Sequence, residues 1–241
     1  MNCCGSTGSC TADNIILMGK AQILSSMMEI GVVPVVRTSS AESAIRSIEA
    51  IHRGGIRAAE ITMTVPGALK ALEKVADQFG DSIVLGAGTV LDPETARACM
   101  LAGAQFFVTP ALNIATIEMA QRYSKPIMPG ALTPTEVVTA WQAGADVVKV
   151  FPASAVGGAK YIKALKGPFP QIEMIPTGGV NLDTTADFLR AGACAVAVGG
   201  ELIDALTIKE GKYEIFEERA RQYLEIVRKT RAEMTSKAAA G

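Results

Sequence analysis

Ala143-Gly144-Ala145-Asp146-Val147-Val148-Lys149-Val150-Phe151-Pro152 is the stretch that decides how this chain is read. Ala-Gly-Ala closes a helix-like segment, because glycine takes the left-handed conformation that turns a helix back toward a sheet. The apolar run from Val147 to Phe151 is short and rich in valine, which suits a strand buried on both faces of a parallel sheet. A lysine stands in its middle. Working outward, Ala-Gly-Ala recurs at residues 102–104 and 191–193, and Gly54-Gly55 plays the same part earlier.

Apolar strand-like runs are expected at residues 32–37, 58–63, 83–85, 105–108, 126–128, 146–151, 173–175 and 194–198. Helical stretches follow at 41–53, after Pro66, from Pro93, at 113–123, 134–142, 157–166 and 182–189, and in a last region that ends in the charged segment 213–229. Strict alternation of this kind implies an α/β fold with a parallel sheet. Eight units of roughly 20–25 residues are what a closed (β/α)8 TIM barrel needs. Alternation alone also admits an open, doubly wound sheet.

With 241 residues, the chain fits one large domain, expected over residues 18–241. Hydrophobic residues make up 49% and charged residues 20%, enough for a sizeable core. A net charge of −1 without a basic stripe or acidic tail argues against nucleic acid and membrane surfaces as partners. There is no apolar run of transmembrane length, and residues 1–14 lack a secretory pattern, so a cytoplasmic location is expected. Cys3, Cys4 and Cys10 lack the paired spacing of a zinc module, and His52 is the one histidine available to help them. No metal is expected, and residues 1–17 read as a disordered leader, with Met18 as an alternative start. Cys99 and Cys194, in apolar surroundings, read as reduced core thiols. His52 reads as a helix-terminal residue, Trp141 as packing and residues 213–229 as a solvated amphipathic helix.

In a barrel the chemistry gathers at the C-terminal ends of the strands. Those ends offer Arg37; Glu60, Thr62 and Thr64; Gly86, Gly88 and Thr89; Thr109 and Pro110; Pro129 and Gly130; Lys149, Phe151 and Pro152; Thr177, Gly178 and Gly179; and Gly199, Gly200 and Glu201. A lysine amine among valines loses hydration, which favours the neutral form that attacks a ketone to make an imine. By itself Lys149 equally suits a head group that reaches the rim or pairs with a carboxylate. Glu60, a second charge inside a strand, supplies the acid/base that imine chemistry needs, or else the partner of a buried ion pair. Gly178-Gly179 and Gly199-Gly200 follow the seventh and eighth strands, where barrels often hold phosphate against backbone N–H groups.

Together, Gly-Gly-Ile-Arg-Ala-Ala-Glu60-Ile-Thr, Gly86-Ala-Gly-Thr89-Val, Thr109-Pro110, Pro129-Gly130, Val-Val-Lys149-Val-Phe-Pro-Ala and Pro176-Thr-Gly-Gly resemble the 2-keto-3-deoxy-6-phosphogluconate / 4-hydroxy-2-oxoglutarate aldolase family. The resemblance spans roughly residues 23–206 in order. It implies a homotrimeric (β/α)8 class I aldolase of carbohydrate metabolism that needs no cofactor. Such an enzyme cleaves 2-keto-4-hydroxy acids to pyruvate and an aldehyde, as in the Entner–Doudoroff route. Carried over by motif, Lys149 is the Schiff-base lysine and Glu60 the general acid/base. Thr89 and Pro110 line the pyruvate pocket, and Gly178, Gly179, Gly199 and Gly200 hold the distal phosphate; Phe151 and Thr177, at strand ends, are further substrate-binding candidates.

Two positions depart from the pattern. Many relatives carry arginine where Thr64 stands, losing a charge-assisted contact to the pyruvate carboxylate; Arg37 is the expected substitute. Glu201 stands beside the phosphate corner where some relatives have serine. Like charges held about 4 Å apart cost about 4 kcal/mol at an effective dielectric near 20, so either Glu201 points away or the distal group is not a phosphate. An aldolase for an unphosphorylated 2-keto-3-deoxy sugar acid, an isomerase or synthase without an imine, with Lys149 as proton donor, and a silent sugar-acid binding protein are the competing readings.

Overall fold

Valine, isoleucine and alanine build the strands, whose side chains alternate between two apolar environments. The computed structural model describes residues 19–239. The expected leader and its cysteines therefore lie outside the described residues. The strands are β1 (Val32–Val36), β2 (Ala58–Thr62), β3 (Val84–Gly88), β4 (Phe106–Val108), β5 (Ile127–Met128), β6 (Gly130–Ala131), β7 (Val148–Val150), β8 (Met174–Pro176) and β9 (Val196–Val198). The helices are α1 (Lys20–Ile30), α2 (Ala41–Arg53), α3 (Ala68–Phe79), α4 (Pro93–Leu101), α5 (Ile114–Arg122), α6 (Pro134–Gln142), α7 (Ala159–Lys166), α8 (Thr185–Arg190), α9 (Ala205–Glu210) and α10 (Glu214–Ala239).

Every pairing among these strands is parallel. One curled sheet runs β5-β4-β3-β2-β1-β9, and a second runs β6-β7-β8. Proline has no N–H for the ladder, and Pro129 separates β5, the expected fifth strand, from β6, which was not foreseen. Its carbonyl still accepts from the Lys149 N–H at 2.9 Å. A single bridge, Thr177 to Ala197, links the edges of β8 and β9.

Alternation along the strands sorts their side chains into two clusters. Val32, Val36, Ala59, Ile61, Leu85, Ala87, Val148 and Val150 pack against the helices. Val33, Val35, Ala58, Val84, Phe106, Val108, Val147, Ile175 and Ala197 face the inside of the curl. There they meet Ile23 and Met27 of α1, which closes the base. Each such side chain is worth about 1.5–3 kcal/mol when removed from water. The loops leaving the upper ends are shaped by helix caps. Ser40, Asp92, Asn113 and Asp204 accept the first-turn N–H groups of α2, α4, α5 and α9, and Thr133 with Glu136 forms a reciprocal cap on α6.

Several expectations change. Strand 83–85 extends through its glycines to Gly88. The expected helix 157–166 begins at Ala159, after a short 3-10 turn over Ala153–Val156. The last region is two helices, and α1 was not foreseen. Trp141 does not pack inside the chain: it is 43% exposed on α6. His52 does end α2, its ring tilted against Phe79, and Gly55, Gly103, Gly144 and Gly192 do take the left-handed conformation.

Candidate active site

Alternation fixes which strand residues share the inner face. In β2, Ala58 faces inward, so Glu60 and Thr62 do too; Val147, just before β7, faces inward, so Lys149 does too. Register aligns Glu60 with Val35 and Gly86, and Lys149 with Gly130 and Ile175. Both charged groups are buried, Glu60 at 1% and Lys149 at 6% exposure. Gly88 makes room for the acid, since a Cβ there would lie 2.7 Å from Glu60 Oε1 and 2.8 Å from Cδ. Gly86 does the same for the buried ring of Phe106. These glycines belong to the strand because the space a side chain would fill is taken.

The two charges are not a simple ion pair. Among the described residues, neither oxygen of Glu60 has a hydrogen-bond partner, and Lys149 lies within 4.0 Å of no carboxylate. Lys149 Nζ instead sits 5.0 Å from the centroid of the Phe151 ring. Burial raises the Glu60 carboxyl above its usual value of 4.5, with Lys149 and Arg37 pulling the other way. Burial lowers the Lys149 ammonium below 10.5, Glu60 opposing and Arg37 assisting. Desolvation wins because stripping water from each ion costs several kcal/mol, while a separated pair at an effective dielectric near 20 returns less than about 4 kcal/mol. The result is an amine biased toward its nucleophilic form and an acid biased toward its protonated form.

A cavity of about 490 Å³ opens beside Val35 and Phe151, with neither Glu60 nor Lys149 in its wall. Arg37, Phe151, Thr177, Gly178, Gly179, Gly199, Gly200 and Glu201 all line it, so the first, sixth, seventh and eighth expected strand ends do converge. The Thr177 hydroxyl is buried and unpartnered, a second orphaned polar group in the site. Thr64, Thr89 and Pro110 lie outside this cavity's wall. Thr64 is exposed and hydrogen-bonds Thr62 Oγ1 at 2.8 Å; Thr62 in turn donates to Val36 O at 3.2 Å. Thr89 holds φ = 55°, a left-handed conformation that costs a β-branched residue about 1–3 kcal/mol and that marks functional loops. The Pro110 loop is pinned through Thr109, which donates to Ala111 O and accepts from the Gly130 N–H.

One charged residue of the cavity wall escaped the sequence reading. Asp204 caps α9, accepting from Thr207 N at 2.8 Å and from Thr207 Oγ1 at 2.7 Å, and it pairs with Arg219 at 2.7 Å. Burial works to raise its pKa, yet these hydrogen bonds and the guanidinium hold it near 2. The signal was present in Asp-x-x-Thr at 204–207, an N-cap pattern. Its place beside the glycine loops was not.

Residues 23–218 match the family model described as KDPG and KHG aldolase. A 2-dehydro-3-deoxy-phosphogluconate aldolase of Treponema pallidum is 33% identical over 205 residues, 85% of this chain and 97% of the relative. A KHG/KDPG aldolase of Escherichia coli is 34% identical over 194 residues, 80% of this chain and 91% of the relative. Among solved structures, a KDPG aldolase from Legionella pneumophila, with pyruvate captured at low pH as a covalent carbinolamine intermediate, superposes with a TM-score of 0.77 at 30% identity. That superposition covers 85% of this chain and 97% of the other.

Proposed function

The chain belongs to the KDPG and KHG aldolase family, and we propose that it is a class I aldolase that cleaves 2-keto-4-hydroxy acids to pyruvate and an aldehyde through an imine on Lys149. The observation that carries this reading is the pair on the inner face: a buried lysine held toward its neutral form, and a buried carboxyl with both oxygens unpartnered. The names of the relatives point to 2-keto-3-deoxy-6-phosphogluconate and 4-hydroxy-2-oxoglutarate as substrates, releasing glyceraldehyde 3-phosphate or glyoxylate.

The neutral amine of Lys149 attacks the C2 ketone to give a carbinolamine, which loses water to become an iminium. The C4 hydroxyl then gives up its proton, the C3–C4 bond breaks, and its electron pair moves into a C2–C3 enamine while the aldehyde leaves. The enamine takes a proton at C3, and water releases pyruvate and the free lysine. Glu60 is the group placed to take and return these protons. The iminium is the electron sink. Arg37 faces the substrate carboxylate, and Thr89 and the Pro110 loop close the pyruvate side.

In this reading the two parallel sheets are one eight-stranded (β/α)8 barrel, interrupted at Pro129 and narrowed to a single bridge between β8 and β9. The enzyme works as a homotrimer. Supporting this is the exposure of Leu91, Leu101, Ile114, Tyr123 and Trp141 on or beside α4, α5 and α6, which suits an interface between copies. It acts in the cytoplasm; no described helix is long and apolar enough to cross a membrane.

The test is borohydride reduction in the presence of pyruvate. The expected result is loss of activity with a three-carbon adduct on Lys149, and neither adduct nor activity in Lys149→Ala. Catalysis that survives Lys149→Ala removes the imine from the mechanism.

A further inference from the structure

We propose that Glu201 makes the distal half of this active site a pocket for hydroxyl groups, so that the preferred substrate is an unphosphorylated 2-keto-3-deoxy sugar acid rather than its 6-phosphate. This rests on the aldolase reading and names the half of the substrate that the lysine chemistry leaves open.

The first argument is charge. Among the described residues lining the cavity, Arg37 is the one cation, while Glu201 and Asp204 are both carboxylates. Arg219, which pairs with Asp204 of the wall, is spent on that carboxylate and on the Leu202 carbonyl. A phosphate monoester carries about −1.5 to −2 charges at neutral pH. It would enter beside Glu201, an exposed carboxylate on the cavity wall that among the described residues makes no hydrogen bond and no ion pair. Arg37 cannot offset both ends of such a substrate, since its field also reaches Lys149 and Glu60 at the keto-acid end.

The second argument is the helix that follows. Barrels commonly seat phosphate on the N-terminus of a short helix beside the seventh and eighth loops. Here that position, the start of α9, already holds a carboxylate of the chain itself, because Asp204 accepts the Thr207 N–H and hydroxyl. The cradle is occupied by the wrong sign of charge for a phosphate to join it.

The third argument is the pattern of donors and acceptors. The backbone of Gly179, Gly199 and Gly200 lines the cavity, and among the described residues their N–H groups donate to no protein acceptor. The Thr177 hydroxyl, more than nine-tenths buried, is also unpartnered. These groups donate, while Glu201 only accepts. A dianionic phosphate accepts but has no proton to give Glu201. A sugar hydroxyl does both, accepting from a glycine N–H while donating to the carboxylate.

Steady-state kcat/KM on 2-keto-3-deoxygluconate, its 6-phosphate and 4-hydroxy-2-oxoglutarate tests this at fixed low ionic strength, alongside pyruvate trapping. The unphosphorylated sugar acid is expected to be cleaved at least about tenfold more efficiently than either substrate with a distal anion. Glu201→Gln and Glu201→Ser are each expected to shift the ratio of phosphorylated to unphosphorylated substrate upward by about tenfold or more. If borohydride labels Lys149 but the wild type favours the 6-phosphate or 4-hydroxy-2-oxoglutarate, the aldolase stands and this inference falls. An unchanged ratio in both Glu201 variants also overturns it. If pyruvate leaves no adduct on Lys149, both readings fall together.

Discussion

Replacing Gly88 by alanine sets a methyl group against the Glu60 carboxylate and separates catalysis from stability. Gly88 lies inside β3 without a positive φ, so alanine brings no backbone strain. Its Cβ would stand 2.7 Å from Glu60 Oε1, and ordinary contact begins at 3.4 Å, so the carboxylate must retreat by at least 0.7 Å (3.4 less 2.7). Oε1 is the end of a flexible side chain and can yield. Overpacking of about 1–3 kcal/mol is partly offset by roughly 0.5–1 kcal/mol from replacing a glycine in a strand, leaving a loss between about 0 and 2.5 kcal/mol. Misplacing a catalytic group by about 1 Å costs on the order of a hundredfold. Gly88→Ala is therefore expected to lower kcat by about ten- to a hundredfold with a modest change in urea midpoint, and still to trap pyruvate on Lys149. Gly86→Ala is the contrast, since its methyl meets the fully buried Phe106 ring, which cannot retreat, and stability suffers first. A Gly88→Ala enzyme with kcat within twofold of wild type would refute the claim that the Glu60 position limits the reaction.

Two further outcomes follow from the same charges. Glu60 has a folded-state pKa above its unfolded value, so its neutral form favours folding; that stability is present below about pH 4.5 and is lost as pH rises through the folded value. Glu60→Gln removes this loss, so its thermal midpoint should exceed that of wild type at pH 8 by more than at pH 4, while kcat collapses; an equal offset at both pH values would contradict it. Lys149 runs the opposite way, its lowered pKa costing stability below the folded value and returning it as pH climbs toward 10.5. Arg37→Ala removes a charge that lowers both groups, so the acid limb of the kcat/KM profile should move to higher pH, with pyruvate affinity weakened about tenfold for the lost charged hydrogen bond; unchanged affinity and profile would remove Arg37 from the site.

The sequence by itself determined the parallel α/β class, since short valine-rich runs alternating with capped helices leave few other arrangements. It also marked Lys149 and Glu60, because a charge within an apolar strand is costly enough to need a reason. That both share the inner face follows from period-two alternation only once the structure shows which way Ala58 and Val147 point. What the sequence did not carry were distances across the sheet. Gly86 and Gly88 looked like strand-ending turns, and only the packed positions of Phe106 and Glu60 reveal them as strand residues emptied of side chains for their neighbours. The strand expected to end at Met128 does so, but the pairing of Gly130 and Ala131 beyond Pro129 with the next strand was not visible in the sequence. Trp141 read as packing because its hydrophobicity does not say which side of a helix faces the core. Whether Lys149 and Glu60 pair was likewise decided by tertiary structure, because ion-pair energy falls with a separation that no spacing along the chain encodes. The same holds for the distal pocket, where Asp204 and Glu201 meet two glycine loops only after the chain has curled its sheet around them.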